Sequence, residues 1–228
     1  GPWRWPPQDF TPEDRAERFE KMSRAILGCE ILGCPNFIIH PIMPFGDWQD
    51  PEPEKLWEMN LEFFSRLCEV AKAHDTIICF ENMPMTALSL STPEQILRFV
   101  KMIDSPYMRV CLDTGHCSVF GLSPADAVRM IGKEYLRALH VHDNDGRADR
   151  HMLPGQGVID WEDFARALAE IGCECPVSIE TSVSGKVPAD QRDAAERELA
   201  NIAKKIQIFF RIPAGFLEAY KAFTGSAY

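Results

Sequence analysis

The stretch "CLDTGH", residues 111–116, closes an apolar run, Val110-Cys111-Leu112, with an acid, Asp113, and sets an imidazole, His116, three residues further on. A buried strand that ends in a carboxylate needs a reason, because a buried charge must find a partner. The same arrangement recurs along the chain. Apolar runs also end in a polar group at Ile38-Ile39-His40, Ile77-Ile78-Cys79-Phe80-Glu81, Ala138-Leu139-His140 and Val177-Ser178-Ile179-Glu180. Each interval between them holds an amphipathic segment of helix length. This is the rhythm of consecutive βα units around a parallel sheet that is buried on both faces.

The helix starts agree. Thr11-Pro12-Glu13-Asp14, Thr92-Pro93-Glu94-Gln95 and Ser123-Pro124-Ala125-Asp126 each offer an N-cap oxygen, a proline in the first turn and an acidic or amide group near the positive helix end. Asp160-Trp161-Glu162-Asp163 is a fourth start without the proline. The pattern predicts helices over about 12–30, 54–74, 93–103, 124–132, 161–171 and 190–210, with a short one near 214–223. His74, in "AKAHD", is expected to sit at a helix end. An open doubly wound sheet would normally carry a glycine-rich phosphate loop, and neither G-x-G-x-x-G nor a Walker sequence occurs. A (β/α)8 TIM barrel, whose catalytic groups stand at the C-terminal ends of several strands, accounts for all five polar strand ends.

Composition narrows the function. The 228 residues carry a net charge of −10, which argues against a broad nucleic-acid contact, since that needs Lys and Arg on phosphates. No apolar run reaches the length of a membrane span and no signal peptide is visible, so a cytoplasmic protein is expected. The eight cysteines are scattered and read as free thiols. Cys173-x-Cys175 has no second pair at zinc-finger spacing and is not read as a metal site.

Glu81, Asp113, His140 and Glu180 come from four different strand ends, which a barrel brings to one axis. Taken singly, such residues are often caps, salt-bridge partners or satisfied core histidines. Together, three neighbouring carboxylates cannot all stay ionised without a cation between them. An oxygen-rich set with one imidazole suits a single divalent metal: Mn²⁺, Mg²⁺, Co²⁺ or Zn²⁺. A second tier comprises His40, His116, His142, Asp149 and His151. Three of these lie in "HDNDGRADRHMLPGQG", residues 142–157, which is too polar and glycine-rich for a core element.

As an ordered set, "HP" (40–41), "FENMP" (80–84), "LDTGH" (112–116), "LHVHDNDGRADRHMLPGQGVIDW" (139–161) and "IET" (179–181) resemble the xylose-isomerase-like TIM barrels. That superfamily includes sugar-phosphate isomerases and epimerases, ketose 3-epimerases and endonuclease IV. The resemblance implies that residues 1–228 form one domain holding barrel strands four to eight and the C-terminal helices. The N-terminal "GPWRWPP" resembles the loop after the third strand, so the first three strands are expected to be absent. The outer strands, "NFIIH" (36–40) and "PVSIE" (176–180), lack lysines, and neither has a proline inside its apolar run to blunt an edge. An N-terminal βαβαβ segment, or a second copy in a homo-oligomer, is therefore expected to cover them.

The ketose-epimerase branch implies one divalent metal on Glu81, Asp113, His140 and Glu180, and a small sugar substrate. Glu81 and Glu180 would be the catalytic pair, on opposite sides of a carbon made acidic by a polarised carbonyl. Arg147, His142 and Trp161 are candidate sugar contacts, and Trp5, in Trp3-Arg4-Trp5-Pro6-Pro7, a candidate lid residue. The endonuclease IV branch implies up to three zinc ions, on His40, Glu81, Asp113, His116, His140, Asp149, His151 and Glu180. One further histidine of that site has no counterpart. The loops "PIMPFGDWQDPEPE" (41–54), "NMPMTALSLS" (82–91) and "SVFGLSPAD" (118–126) lack the basic and stacking residues of a DNA groove. A third reading is a barrel that binds a metabolite without catalysis.

Overall fold

The computed structural model describes residues 11–42, 52–181 and 187–211. Within them the chain alternates helix and strand: α1 (Pro12–Leu32), β1 (Asn36–Ile39), α2 (Pro53–Ala73), β2 (Ile77–Glu81), α3 (Pro93–Ile103), β3 (Met108–Asp113), α4 (Thr114–Val119), α5 (Pro124–Tyr135), β4 (Leu136–Val141), α6 (Trp161–Glu170), β5 (Val177–Ile179) and α7 (Ala189–Arg211). The five strands form one parallel sheet in sequential order. The sheet curls: Arg137 at the start of β4 donates from Nε to Asn36 Oδ1 at the start of β1, 2.9 Å away, although two strands lie between them in the sheet. A half-barrel is the result.

The helix starts read from sequence are built as capped ends. Thr11, Thr92 and Ser123 each accept a backbone N–H from three residues on, and Asp160 accepts from Glu162 N and Asp163 N. At Thr92 the cap is reciprocal, because Gln95 Oε1 accepts from Thr92 N. Gly132, with φ +70°, breaks α5 where the sequence placed its end. The expected short helix near 214–223 lies outside the described residues. Helix α4 was not anticipated: its six residues are too short to show a periodicity.

Side-chain alternation then decides what the sheet presents to each side. Ile78, Phe80, Val110, Leu112, Leu139 and Val177 join the main core beneath the helices. Cys79, Cys111 and Ala138 form a separate small cluster with Ile38 and Ile77. Those residues share strand parity with His40, Glu81, Asp113 and His140, so the polar strand ends belong to the concave face. Its small Cys and Ala side chains leave room above them. Asn60 on α2 pins the segment after β1: its Oδ1 accepts from Ile42 N at 2.7 Å, and its Nδ2 donates to Ile42 O and Leu56 O. No helix among the described residues is long and apolar enough to cross a membrane.

Candidate metal centre

The register of β3 and β4 sets Asp113 opposite His140, and Glu180 N donates to Val141 O just past the end of β5. Glu81, the last residue of β2, completes the group. One donor atom from each of Glu81, Asp113, His140 and Glu180 lies within 4.8 Å of all the others. His140 Nδ1 stands 2.8 Å from Glu81 Oε1 and 3.0 Å from Glu180 Oε1. His40 Nε2 reaches Glu81 from the other side, 3.1 Å from Oε2. That approach is not aligned as a hydrogen bond, and Glu81 Oε2, fully buried, has no hydrogen-bond partner.

The carboxylates respond differently to this crowding. Burial opposes ionisation of Glu81, but the hydrogen bond from His140 and the nearby His40 outweigh it and hold the carboxyl well below the usual range. Glu180 is pushed upward, first by burial and then, against the attraction of His140, by the charges of Glu81 and Asp113. His140 itself is raised: burial opposes its charge, but Glu81, Glu180 and Asp113 surround it. The donor chemistry fits a divalent cation. A buried, unpartnered carboxylate oxygen, two further carboxylates and one imidazole converge where protonation of a single histidine cannot satisfy them all.

The stretch 111–116 now has its explanation. Asp113 caps the unexpected helix α4 by accepting His116 N at 2.8 Å, and it also faces His142 Nε2 at 3.1 Å. Asn82, the residue after Glu81, holds both ends of this corner. Its Oδ1 accepts from Asp113 N, its Nδ2 donates to Asp113 O, and its carbonyl accepts from His116 Nδ1 at 2.7 Å. That leaves His116 Nε2 facing Asp149, 3.4 Å away. Thr114 Oγ1 clamps the β4 exit, donating to His142 O and accepting from His142 N.

The second tier also assembles. Asp149 lies 3.5 Å from His142 Nε2 and 3.2 Å from His151 Nε2, and the rings of His142 and His151 stack with centroids 4.2 Å apart. His151 Nδ1 donates to Glu180 O, tying this group to the first. His151 takes φ +49°, a left-handed conformation uncommon for a non-glycine residue. Burial works against the charge of His116, but Asp113 and Asp149 raise it to about 9. The hydrogen bond to Asp149 raises His151 to about 9. Asp149 itself is held well below the usual range: burial pushes it up, but His116 and His151 outweigh that.

The loop carrying Asp149 and His151 is organised by Asp143, which the sequence did not single out. This fully buried carboxylate accepts from Asn144 N, Gly155 N, Gly157 N, Ile159 N and Trp161 Nε1. Trp161 thus gives its indole N–H to the loop's anchor and packs edge-on against Phe164. Arg147 is exposed on the loop. Trp5 lies outside the described residues. His74 caps α2 as expected and pairs with Glu30, away from the site. All eight cysteines are free.

Comparison with known proteins agrees with this fold. A family model described as xylose isomerase-like TIM barrel matches residues 1–205. An uncharacterized protein of Methanocaldococcus jannaschii is 32% identical over 183 residues, covering 77% of this chain and 62% of that protein. A D-psicose 3-epimerase of Ruminiclostridium cellulolyticum is 32% identical over 128 residues, covering 56% of this chain and 42% of the enzyme. The chain thus spans less than two thirds of the length of these curated relatives. Among solved structures, a D-tagatose 3-epimerase-like protein superposes with a TM-score of 0.71 at 25% identity, over 88% of this chain and 74% of that one. The IOLI protein with a bound zinc atom shares the fold with a TM-score of 0.73 at 20% identity, over 89% of this chain and 72% of that one. With the family model covering the ordered set of strand-end motifs and the half-barrel that carries them, the chain belongs to the xylose isomerase-like TIM barrel family.

Proposed function

We propose that this chain carries the site of a divalent-metal-dependent sugar isomerase or epimerase, in which Glu81 and Glu180 move the proton. The observation that carries the reading is the approach of these two carboxylates, from two different strand ends, to one imidazole nitrogen, His140 Nδ1, at 2.8 and 3.0 Å. Glu81, Asp113, His140 and Glu180 would hold the metal. When bound, that metal polarises a substrate carbonyl and makes the adjacent C–H acidic. The epimerase relatives support an open-chain ketose as the substrate class.

Glu180 suits the role of base. Its side chain is one-third exposed (33%), so it faces the open side of the site, and burial raises its proton affinity towards the working range of a general base. It takes the proton from the carbon beside the carbonyl onto a carboxylate oxygen. Glu81 would enter that step carrying a proton taken up from solvent or from the histidines beside it, and would give it to the opposite face of that carbon, which is epimerisation; delivery to the neighbouring carbon is isomerisation. Arg147 is the proposed sugar contact, with Trp161 supporting the loop and Trp5 a proposed lid residue, while the fully buried His142 acts on the site through Asp113 and Asp149.

A second reading rests on one observation: His142, Asp149 and His151 also place donor atoms within 4.8 Å of one another, as do Asp113, His116 and His142. That pattern suits an endonuclease IV-like phosphodiesterase with up to three zinc ions. The net charge of −10 weighs against its DNA substrate.

Incubation of the Mn²⁺-loaded chain with ketohexoses in deuterium oxide tests the proposal. Deuterium is expected at the carbon beside the carbonyl, with the epimer appearing, and Glu180→Gln and Glu81→Gln are each expected to abolish both. Deuterium uptake that survives either change would contradict the two-glutamate mechanism.

A further inference from the structure

A second chemical feature lies at the opposite end of the sheet. Where β1, β4 and β5 begin, a cavity of about 280 Å³ is walled by Asn36, Lys133, Leu136, Arg137, Cys173 and Cys175. Both thiols are half-buried on its wall. Cys175 Sγ donates to Leu136 O at 3.1 Å, which orients that thiol. Lys133 reaches the same corner: its Nζ stands 3.6 Å from where a Cβ would sit on Gly172, the residue before Cys173. The other thiols have different surroundings. Cys68, Cys79, Cys111 and Cys117 are buried, Cys34 is exposed, and the half-buried Cys29 is pushed up by burial and by Cys34.

We propose that Cys173 and Cys175 form a reversible dithiol site, with Cys173 the thiol that attacks a hydroperoxide and Cys175 the thiol that resolves it into an intramolecular disulfide. Proximity, access through the cavity and the ammonium of Lys133 favour thiolate at Cys173. Charge agrees: the neighbouring Cys175, against burial and with help from Lys133, lowers Cys173 to about 7, while Cys175, whose S–H is held by Leu136 O, is pushed up and keeps its proton. By contrast, burial raises Cys68 to about 11 and Cys79 to about 12.

The steps balance. The Cys173 thiolate attacks one peroxide oxygen and the O–O bond breaks. Sulfur is oxidised by two electrons to a sulfenic acid, and the departing oxygen takes a proton and leaves as water or alcohol. Cys175 sulfur then attacks Cys173 sulfur, the S–O bond breaks, and the hydroxide leaves with the Cys175 proton as a second water. An external dithiol reverses the change.

The test is peptide mapping of the full chain after limiting hydrogen peroxide. The peptide holding Cys173 and Cys175 is expected to lose two hydrogens and to regain them with dithiothreitol. Cys175→Ser is expected to stop at the sulfenic acid, trapped by dimedone on Cys173. Iodoacetamide at pH 7 is expected to label Cys173 about tenfold faster than Cys34, from the larger thiolate fraction. A reduced Cys173–Cys175 peptide beside oxidised Cys34, or equal labelling of Cys173 and Cys34, would overturn the proposal. If Cys175→Ser fails to fold by circular dichroism, the wild-type map and labelling rates decide alone.

Discussion

Gly115 lies directly against the ring of His142: a Cβ built on Gly115 would stand 1.9 Å from His142 Cε1. The ring is fully buried and faces Asp113 and Asp149, so it has nowhere to retreat. Gly115→Ala is therefore expected to displace His142 and destabilise the fold by about 2–3 kcal/mol, the ordinary cost of overpacking a closed site. Urea denaturation of the variant against wild type measures this. A variant as stable as wild type would show that the ring yields freely.

Asp143 is expected to be costly to remove. Asp143→Ala strips an acceptor from four backbone N–H groups and one indole N–H, and an expected loss of about 3–5 kcal/mol follows for a buried charged network. Asp143→Asn, which keeps one acceptor oxygen, is expected to lose less. Limited proteolysis is expected to find new cuts in residues 144–160 of either variant. Unchanged cleavage would mean the loop has another anchor.

The metal-free chain has a defined pH window. His116 and His151 are raised to about 9, above an unfolded value of about 6.5, so their contribution is whole below about pH 6.5 and lost as pH rises through 9. Glu81 and Asp149 are lowered, so theirs is whole above about pH 4 and lost as the medium becomes more acid. Thermal melts in EDTA should peak between about pH 4.5 and 6.5 and fall from pH 7 to 9. His116→Gln should flatten the alkaline limb. A melting temperature that rises over that limb would contradict these assignments.

Much of this was legible in the sequence, for a physical reason. In strands buried on both faces, ionisable side chains are best accommodated where the apolar run ends, so His40, Glu81, Asp113, His140 and Glu180 announced themselves against their apolar neighbours. The alternation that sets Cys79 and Glu81 on one face was readable too. The partners that hold the site were not. Asn82 bonds across a gap of about thirty residues to Asp113 and His116, and Asp143 gathers donors from the far end of its own loop. Their types, Asn and Asp in loop-like surroundings, fit an ordinary turn equally well. Helix α4 escaped because one turn of helix has no period to detect.

The central claim is that four strand ends hold one divalent cation. Anomalous scattering from crystals of the chain grown with Mn²⁺ tests it most directly. The account predicts one strong peak, about 2.0–2.3 Å from carboxylate oxygens of Glu81, Asp113 and Glu180 and a ring nitrogen of His140. A peak elsewhere with these four residues unligated, or no peak in crystals of a folded, Mn²⁺-saturated chain, would contradict it.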